Sequence, residues 1–193
     1  MTIETIAISS DVRVRIEYDS CPANPMEDFD NLGTIAYLSR SRYTLGNQAV
    51  SHEEMDEIAA DIRSGKLVGM PVQAYVHSGV ALKASLTNPY PDPRWDSGQS
   101  GYVYCTREAA IKEFGNKVCT AKVKEKALKL MASEVETFSQ YLNGEVYGFI
   151  VERFDEDGEK VEELESCWGF YGLEYCMSEA ESAARYHVEA SHV

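Results

Sequence analysis

Apolar and charged residues alternate along Val12-Arg13-Val14-Arg15-Ile16-Glu17-Tyr18. A period of two puts Val12, Val14, Ile16 and Tyr18 on one side of a strand and the charges on the other, the pattern of a half-buried strand. The prolines and asparagine of Cys21-Pro22-Ala23-Asn24-Pro25-Met26 predict a loop, and Thr34–Leu38 a short strand or helical turn. Two apolar runs, Leu67–Val76 and Val80–Leu86, joined by His77-Ser78-Gly79, predict a hairpin, and Pro71 places the first run at an edge or a strand start. Val146–Phe154 and Val161–Phe170 flank Asp155-Glu156-Asp157-Gly158-Glu159, whose Asp-Gly chemistry predicts a second hairpin.

Helical periods occupy the intervening stretches. Ser51 and Glu54 have capping-box spacing, Met55, Ile58, Ala59 and Ile62 follow on one face, and Gly65 is a stop, which predicts a helix over about 52–64. Thr106 caps a short helix through Phe114 that Gly115-Asn116 ends. The longest stripe, Val123, Ala127, Leu128, Met131, Val135, Phe138 and Leu142, predicts a helix over 120–142 with Lys122, Lys124, Lys126 and Lys129 outward. Ser178 and Glu181 repeat the capping-box spacing and predict a terminal helix to about Glu189. The segment 88–101, rich in Pro, Gly, Asn and Asp, is expected to be a long loop of the kind that often carries function, with Tyr102–Cys105 a strand after it.

Hairpins outnumber β-α-β alternations in this order. The expected fold class is therefore α+β, an antiparallel sheet built from hairpins and packed with three to four helices, in a single domain over 1–193. The length of 193 residues suffices for a core without disulfides or metal.

Charge changes the picture more than composition does. The chain has 18 basic and 32 acidic residues, net −14, and residues 144–193 alone hold 13 acids against 3 bases. Residues 101–143 instead hold 5 acids and 7 bases. Such a field disfavours direct nucleic-acid binding and favours basic partners, or serves solubility. Five cysteines without a C-x-x-C pair fit reduced thiols, the opening Met1–Ala7 lacks the features of a secretory signal, and no apolar run has membrane-spanning length. A cytoplasmic protein is expected.

Catalytic and cofactor signatures are weak. His77 at a strand end suggests a His–Asp pair with Asp96, served by Ser97 or Cys105 as nucleophile, but there is no G-x-S-x-G elbow and no cysteine-protease signature. No metal site is expected: His52, His77, His187 and His192 lack zinc spacing, and Asp155–Gly158 departs from a calcium loop because Ser166 stands where the final Glu belongs. Gly98-Gln99-Ser100-Gly101 is neither a dinucleotide fingerprint nor a P-loop, so no cofactor is expected. Asp30, Asn31, Trp95, Asp96 and Gln99 are candidate ligand-binding residues, and the same residue types equally serve turns and caps. The aromatic residues Tyr147, Phe149, Phe154, Trp168, Phe170, Tyr171, Tyr175 and Tyr186 are expected mostly in the core, with an aromatic-and-acidic docking patch beside Glu162, Glu163 and Glu165 as the alternative.

Three blocks, Phe29-Asp30-Asn31-Leu32-Gly33-Thr34, His77-Ser78-Gly79 and Trp95-Asp96-Ser97-Gly98-Gln99-Ser100-Gly101, span about 29–101. In them the chain resembles an uncharacterised family of proteins encoded by phages and mobile elements. The resemblance implies a genomic setting rather than a reaction. In that setting an acidic accessory protein is expected to inhibit a host defence protein, in the manner of anti-restriction or anti-CRISPR proteins that partly mimic DNA. The basic 120–142 helix departs from the pattern of such mimics.

The leading expectation is thus a non-enzymatic protein that binds a basic host protein, a defence nuclease or its complex, through Asp155, Glu156, Asp157, Glu159, Glu162, Glu163 and Glu165. The alternative is a small hydrolase or ligand-binding enzyme whose pocket joins Asp30, His77, Asp96 and Gln99. A homo-oligomer, such as a dimer with a large apolar self-interface, is a third reading.

Overall fold

Alternation is realised where the sequence shows it: Val12, Val14 and Ile16 are almost fully buried while Arg13, Arg15 and Glu17 remain partly exposed. The computed structural model describes residues 2–39, 41–91 and 96–190. In chain order its elements are β1 (Thr2–Ala7), β2 (Val12–Tyr18), α1 (Pro25–Asp28), β3 (Thr34–Leu38), β4 (Gln48–Val50), α2 (His52–Ser64), β5 (Leu67–Val76), β6 (Val80–Ala84), β7 (Ser97–Thr106), α3 (Arg107–Glu113), α4 (Ala121–Leu142), β8 (Val146–Phe154), β9 (Lys160–Tyr171) and α5 (Leu173–Ala190). The fold is mixed α+β, as expected. Among the described residues the strands form two sheets rather than one, and five helices accompany them.

The chain divides into two compact units, one of residues 24–143 and one that joins residues 1–23 to 144–193. The charge shift after residue 143 falls at one boundary, but nothing in the local sequence ties residues 1–23 to residues 144–193, which explains why the sequence reads as a single domain.

In the 24–143 unit the sheet order is β4-β3-β7-β5-β6, antiparallel except for the β3–β4 pair. The pleat sends alternate residues of β7 to opposite faces. Val103 and Cys105 join a core with Val123, Ala127, Met131, Val135 and Phe138 of α4, while Tyr102 and Tyr104 pack with Met55 and Ile58 of α2. The helix termini follow the local chemistry: the Ser51 hydroxyl accepts from Glu54 N, the Glu54 carboxylate accepts from Ser51 N, and Gly65 closes α2 at φ 77°.

Two expectations fail in this unit. Pro71 lies in β5, which is interior to the sheet. Its carbonyl accepts from Ser85 N, so its nitrogen faces the β6 side, beyond the last pair Val72↔Ala84, and the missing N–H leaves the β7 ladder intact. The loop after residue 88 also ends early, because β7 begins at Ser97 and pairs Ser97, Gly98 and Gln99 with Tyr75, Ala74 and Gln73.

In the other unit the sheet order is β1-β2-β8-β9, all antiparallel. Cys176, Ala180 and Ala184, fully buried on α5, pack against Val12, Val14, Ile16, Tyr147, Phe149 and Val151. The expected helix start at Ser178 is corrected: α5 begins at Leu173, with Cys176 N donating to Gly172 O, so Ser178 and Glu181 lie within a running helix. The 3.6-residue period that buries Cys176, Ala180 and Ala184 turns Tyr175 and Tyr186 away from that stripe. They are 58% and 68% exposed.

Candidate functional site

Asp155 builds the β8–β9 turn. Its Oδ1 accepts from Asp157 N at 3.1 Å and Glu159 N at 2.9 Å, and Gly158 takes φ 82°, the left-handed conformation such a turn needs. The segment is the hairpin turn expected from its Asp-Gly chemistry. Glu156, Asp157 and Glu159 project from the exposed tip and have no cationic partner among the described residues.

The next three acids behave differently. Glu162 lies 2.7 Å from Arg153, Glu163 lies 3.8 Å from Lys160, and Glu165 lies 2.9 Å from His187 Nε2. A cross-strand contact thus occupies Glu162, a contact within β9 occupies Glu163 and a sheet-to-helix contact occupies Glu165, whereas the tip acids face water. On the sheet face away from α5, Glu152 is almost buried and accepts from Arg15 at 3.0 Å and from Lys160 at 2.7 Å. The hydrogen bond from Arg15 and the Lys160 charge hold its carboxyl below the usual range.

Charge divides along the unit boundary. Residues 1–23 and 144–193 carry 17 acids and 5 bases, net −12, and residues 24–143 carry 15 acids and 13 bases, net −2. Most of the protein's negative charge therefore belongs to the unit that holds the hairpin.

The aromatic residues of this unit are less buried than expected. Tyr147 and Phe149 are buried, Phe154, Phe170 and Tyr171 are intermediate, and Trp168 is 44% exposed. β9 is an edge strand, so its outward residues lack a neighbouring strand to cover them. Trp168 instead lies over Gly148, where a Cβ would overlap its ring.

The remaining sequence candidates belong to the 24–143 unit. His77 Nδ1 lies 3.4 Å from Asp96 Oδ2, beside a groove of about 300 Å³ lined by Tyr43, Thr44, His77, Ser78, Val80 and Leu142. Tyr90, Tyr75 and His77 form a stacked row, with ring centroids 5.7 and 6.2 Å apart. Neither nucleophile suits His77: the Ser97 hydroxyl donates to Pro91 O and accepts from Asn88, and Cys105 is buried in the core, its thiol pushed up to about 11. Trp95 lies outside the described residues.

Asn31 is committed to its turn, since its amide donates to Pro25 O at 2.6 Å. Asp30 is exposed in the same turn, and the Gln99 amide turns back towards Gly101 O. Gly101 serves packing, because a Cβ there would overlap the Ala36 carbonyl oxygen of β3. Among the described residues no group of three or more His, Cys, Asp or Glu gathers to hold a metal, and no helix is long and apolar enough to cross a membrane.

No family model, no curated protein and no solved structure matches the chain.

Glu134 of α4 went unrecognised in the sequence. Its carboxylate accepts from Leu32 N at 2.7 Å and Gly33 N at 2.9 Å, pinning the Asp30–Gly33 turn to the helix. Burial raises its pKa, and the two amides only partly offset that rise. Neither helical period nor charge pattern marks it out, because its partners are backbone groups about 100 residues away.

Proposed function

We propose that this protein is a non-enzymatic binding protein that engages a basic surface of another protein through the acidic unit of residues 1–23 and 144–193. The observation that carries the reading is the charge division, net −12 against −2, with Glu156, Asp157 and Glu159 unpaired at the hairpin tip. Unpaired surface acids project a field that speeds encounter with a basic partner and is screened by salt. In the phage or mobile-element setting that the resemblance implies, the partner is a cytoplasmic host defence protein, a nuclease whose basic channel accepts acidic side chains in place of phosphates.

Capture from host lysate tests this. Wild-type protein is compared with the E156Q/D157N/E159Q variant at low and moderate salt, and captured proteins are identified by mass spectrometry. The reading predicts a basic protein retained by wild type at low salt and weakened about tenfold by the variant, on the scale of a few tenths to 1 kcal/mol per exposed charge. Equal capture by both proteins contradicts it.

One observation favours a second reading. The His77–Asp96 contact beside the 300 Å³ groove orients an imidazole next to a small-ligand space. The enzymatic alternative thus contracts to His77 and Asp96, and a ligand screen in which binding is lost in His77→Ala tests it.

A further inference from the structure

A groove of about 340 Å³ runs between β9 and α5. Phe149, Phe170 and Ala183 supply apolar lining, the exposed Tyr186 supplies an aromatic wall, and Glu165 and Glu179 supply carboxylates. Phe149 and Phe170 pack with centroids 5.3 Å apart, and Phe170 meets Tyr175 edge-on at 5.6 Å, so the Phe170 ring is held in place. Glu165 is fixed by His187 at 2.9 Å, while Glu179 has no ion pair among the described residues.

We infer that this groove receives a cationic side chain of the basic partner, an arginine guanidinium stacked on Tyr186 and paired with Glu179 and Glu165. The occupant follows from charge complementarity: the groove has two carboxylates beside aromatic rings in a unit of net −12. Aromatic faces attract cations, and a planar guanidinium stacks on a ring while its N–H groups reach carboxylates. The volume is at the lower end of the roughly 300–1,000 Å³ of small-ligand sites, which suits one side chain. The inference rests on the proposed binding function and places a specific contact away from the hairpin tip.

The test is a titration of the full chain with acetyl-Gly-Arg-Gly-amide, followed by amide chemical shifts, against the same peptide with citrulline in place of arginine. Citrulline keeps the shape and removes the charge. The inference predicts saturable shifts centred on Glu165, Phe170, Glu179 and Tyr186, with a dissociation constant on the order of millimolar. Citrulline produces none. Tyr186→Ala and Glu179→Gln, both at exposed helix positions, each weaken binding by roughly fivefold, whereas Tyr186→Phe retains it. The E156Q/D157N/E159Q variant binds the peptide like wild type, so the groove and the tip are scored separately. Shifts spread over all acidic residues without saturation, or equal shifts with citrulline, overturn the groove assignment while leaving tip-dependent capture untouched.

Discussion

Glu162 of β9 lies 2.7 Å from the Arg153 guanidinium of β8, and this contact helps decide which acids of the hairpin are left without an ion pair. With Glu163 and Glu165 likewise beside Lys160 and His187, the acidic run separates into paired acids on the strand and unpaired acids at the tip. Neutralising Glu162, Glu163 and Glu165 is expected to lower stability by about 1 kcal/mol in total, since all three are substantially exposed, and to weaken partner binding less than E156Q/D157N/E159Q does. Denaturant midpoints and binding constants for the two triple variants check this.

Glu152 and Glu134 oppose each other in acid. The Glu152 carboxyl is depressed from 4.5 by Arg15 and Lys160, so its stabilisation is full above the unfolded value and is lost as pH falls through the folded one. Burial raises Glu134, so the folded state holds that proton more tightly; its contribution is full below 4.5 and fades as pH rises through the folded value. Urea unfolding against pH is expected to show the deficit of Glu152→Gln shrinking towards low pH. Glu134→Ala leaves the Leu32 and Gly33 amides without an acceptor and is expected to lose about 2–4 kcal/mol near neutrality.

Gly101→Ala forces β7 away from β3, because the new methyl meets the Ala36 carbonyl of the neighbouring strand. A loss of roughly 2 kcal/mol or more is expected, read as a fall in Tm. Gly98→Ala, where a Cβ meets nothing within 4 Å, is the control and is expected to change Tm little.

Thiol accessibility reports both cores. Cys21 and Cys167 are exposed, while Cys105 and Cys176 are buried with thiols pushed up to about 11. A chromogenic disulfide reagent is expected to modify Cys21 and Cys167 rapidly in the native protein, Cys119 more slowly, and Cys105 and Cys176 only on unfolding.

Local signals made much of this architecture legible. Ser51, Glu54 and Gly65 delimit α2 because caps act within four residues, and the alternation at Val12–Ile16 marks β2 because burial on one face dictates it. Ser178 and Glu181 misled for the same reason: a capping spacing says nothing about whether the helix has already begun at Leu173. Pro71 misled because its safety depends on where β6 ends. The two-unit division joins segments 120 residues apart, which no local window registers. At the site, the acids of the hairpin were evident from composition, and the His77–Asp96 contact from residue type, but the pairing of Glu162 with Arg153 needs a cross-strand register. Glu134 and the β9–α5 groove likewise needed tertiary contacts.

The most direct test of the central claim is the salt dependence of binding between the captured basic protein and either wild type or E156Q/D157N/E159Q. The account predicts that wild-type affinity falls steeply with added salt and that the variant binds about tenfold more weakly at low salt with a flatter slope, the two converging at high salt. Equal affinities and parallel slopes would contradict it.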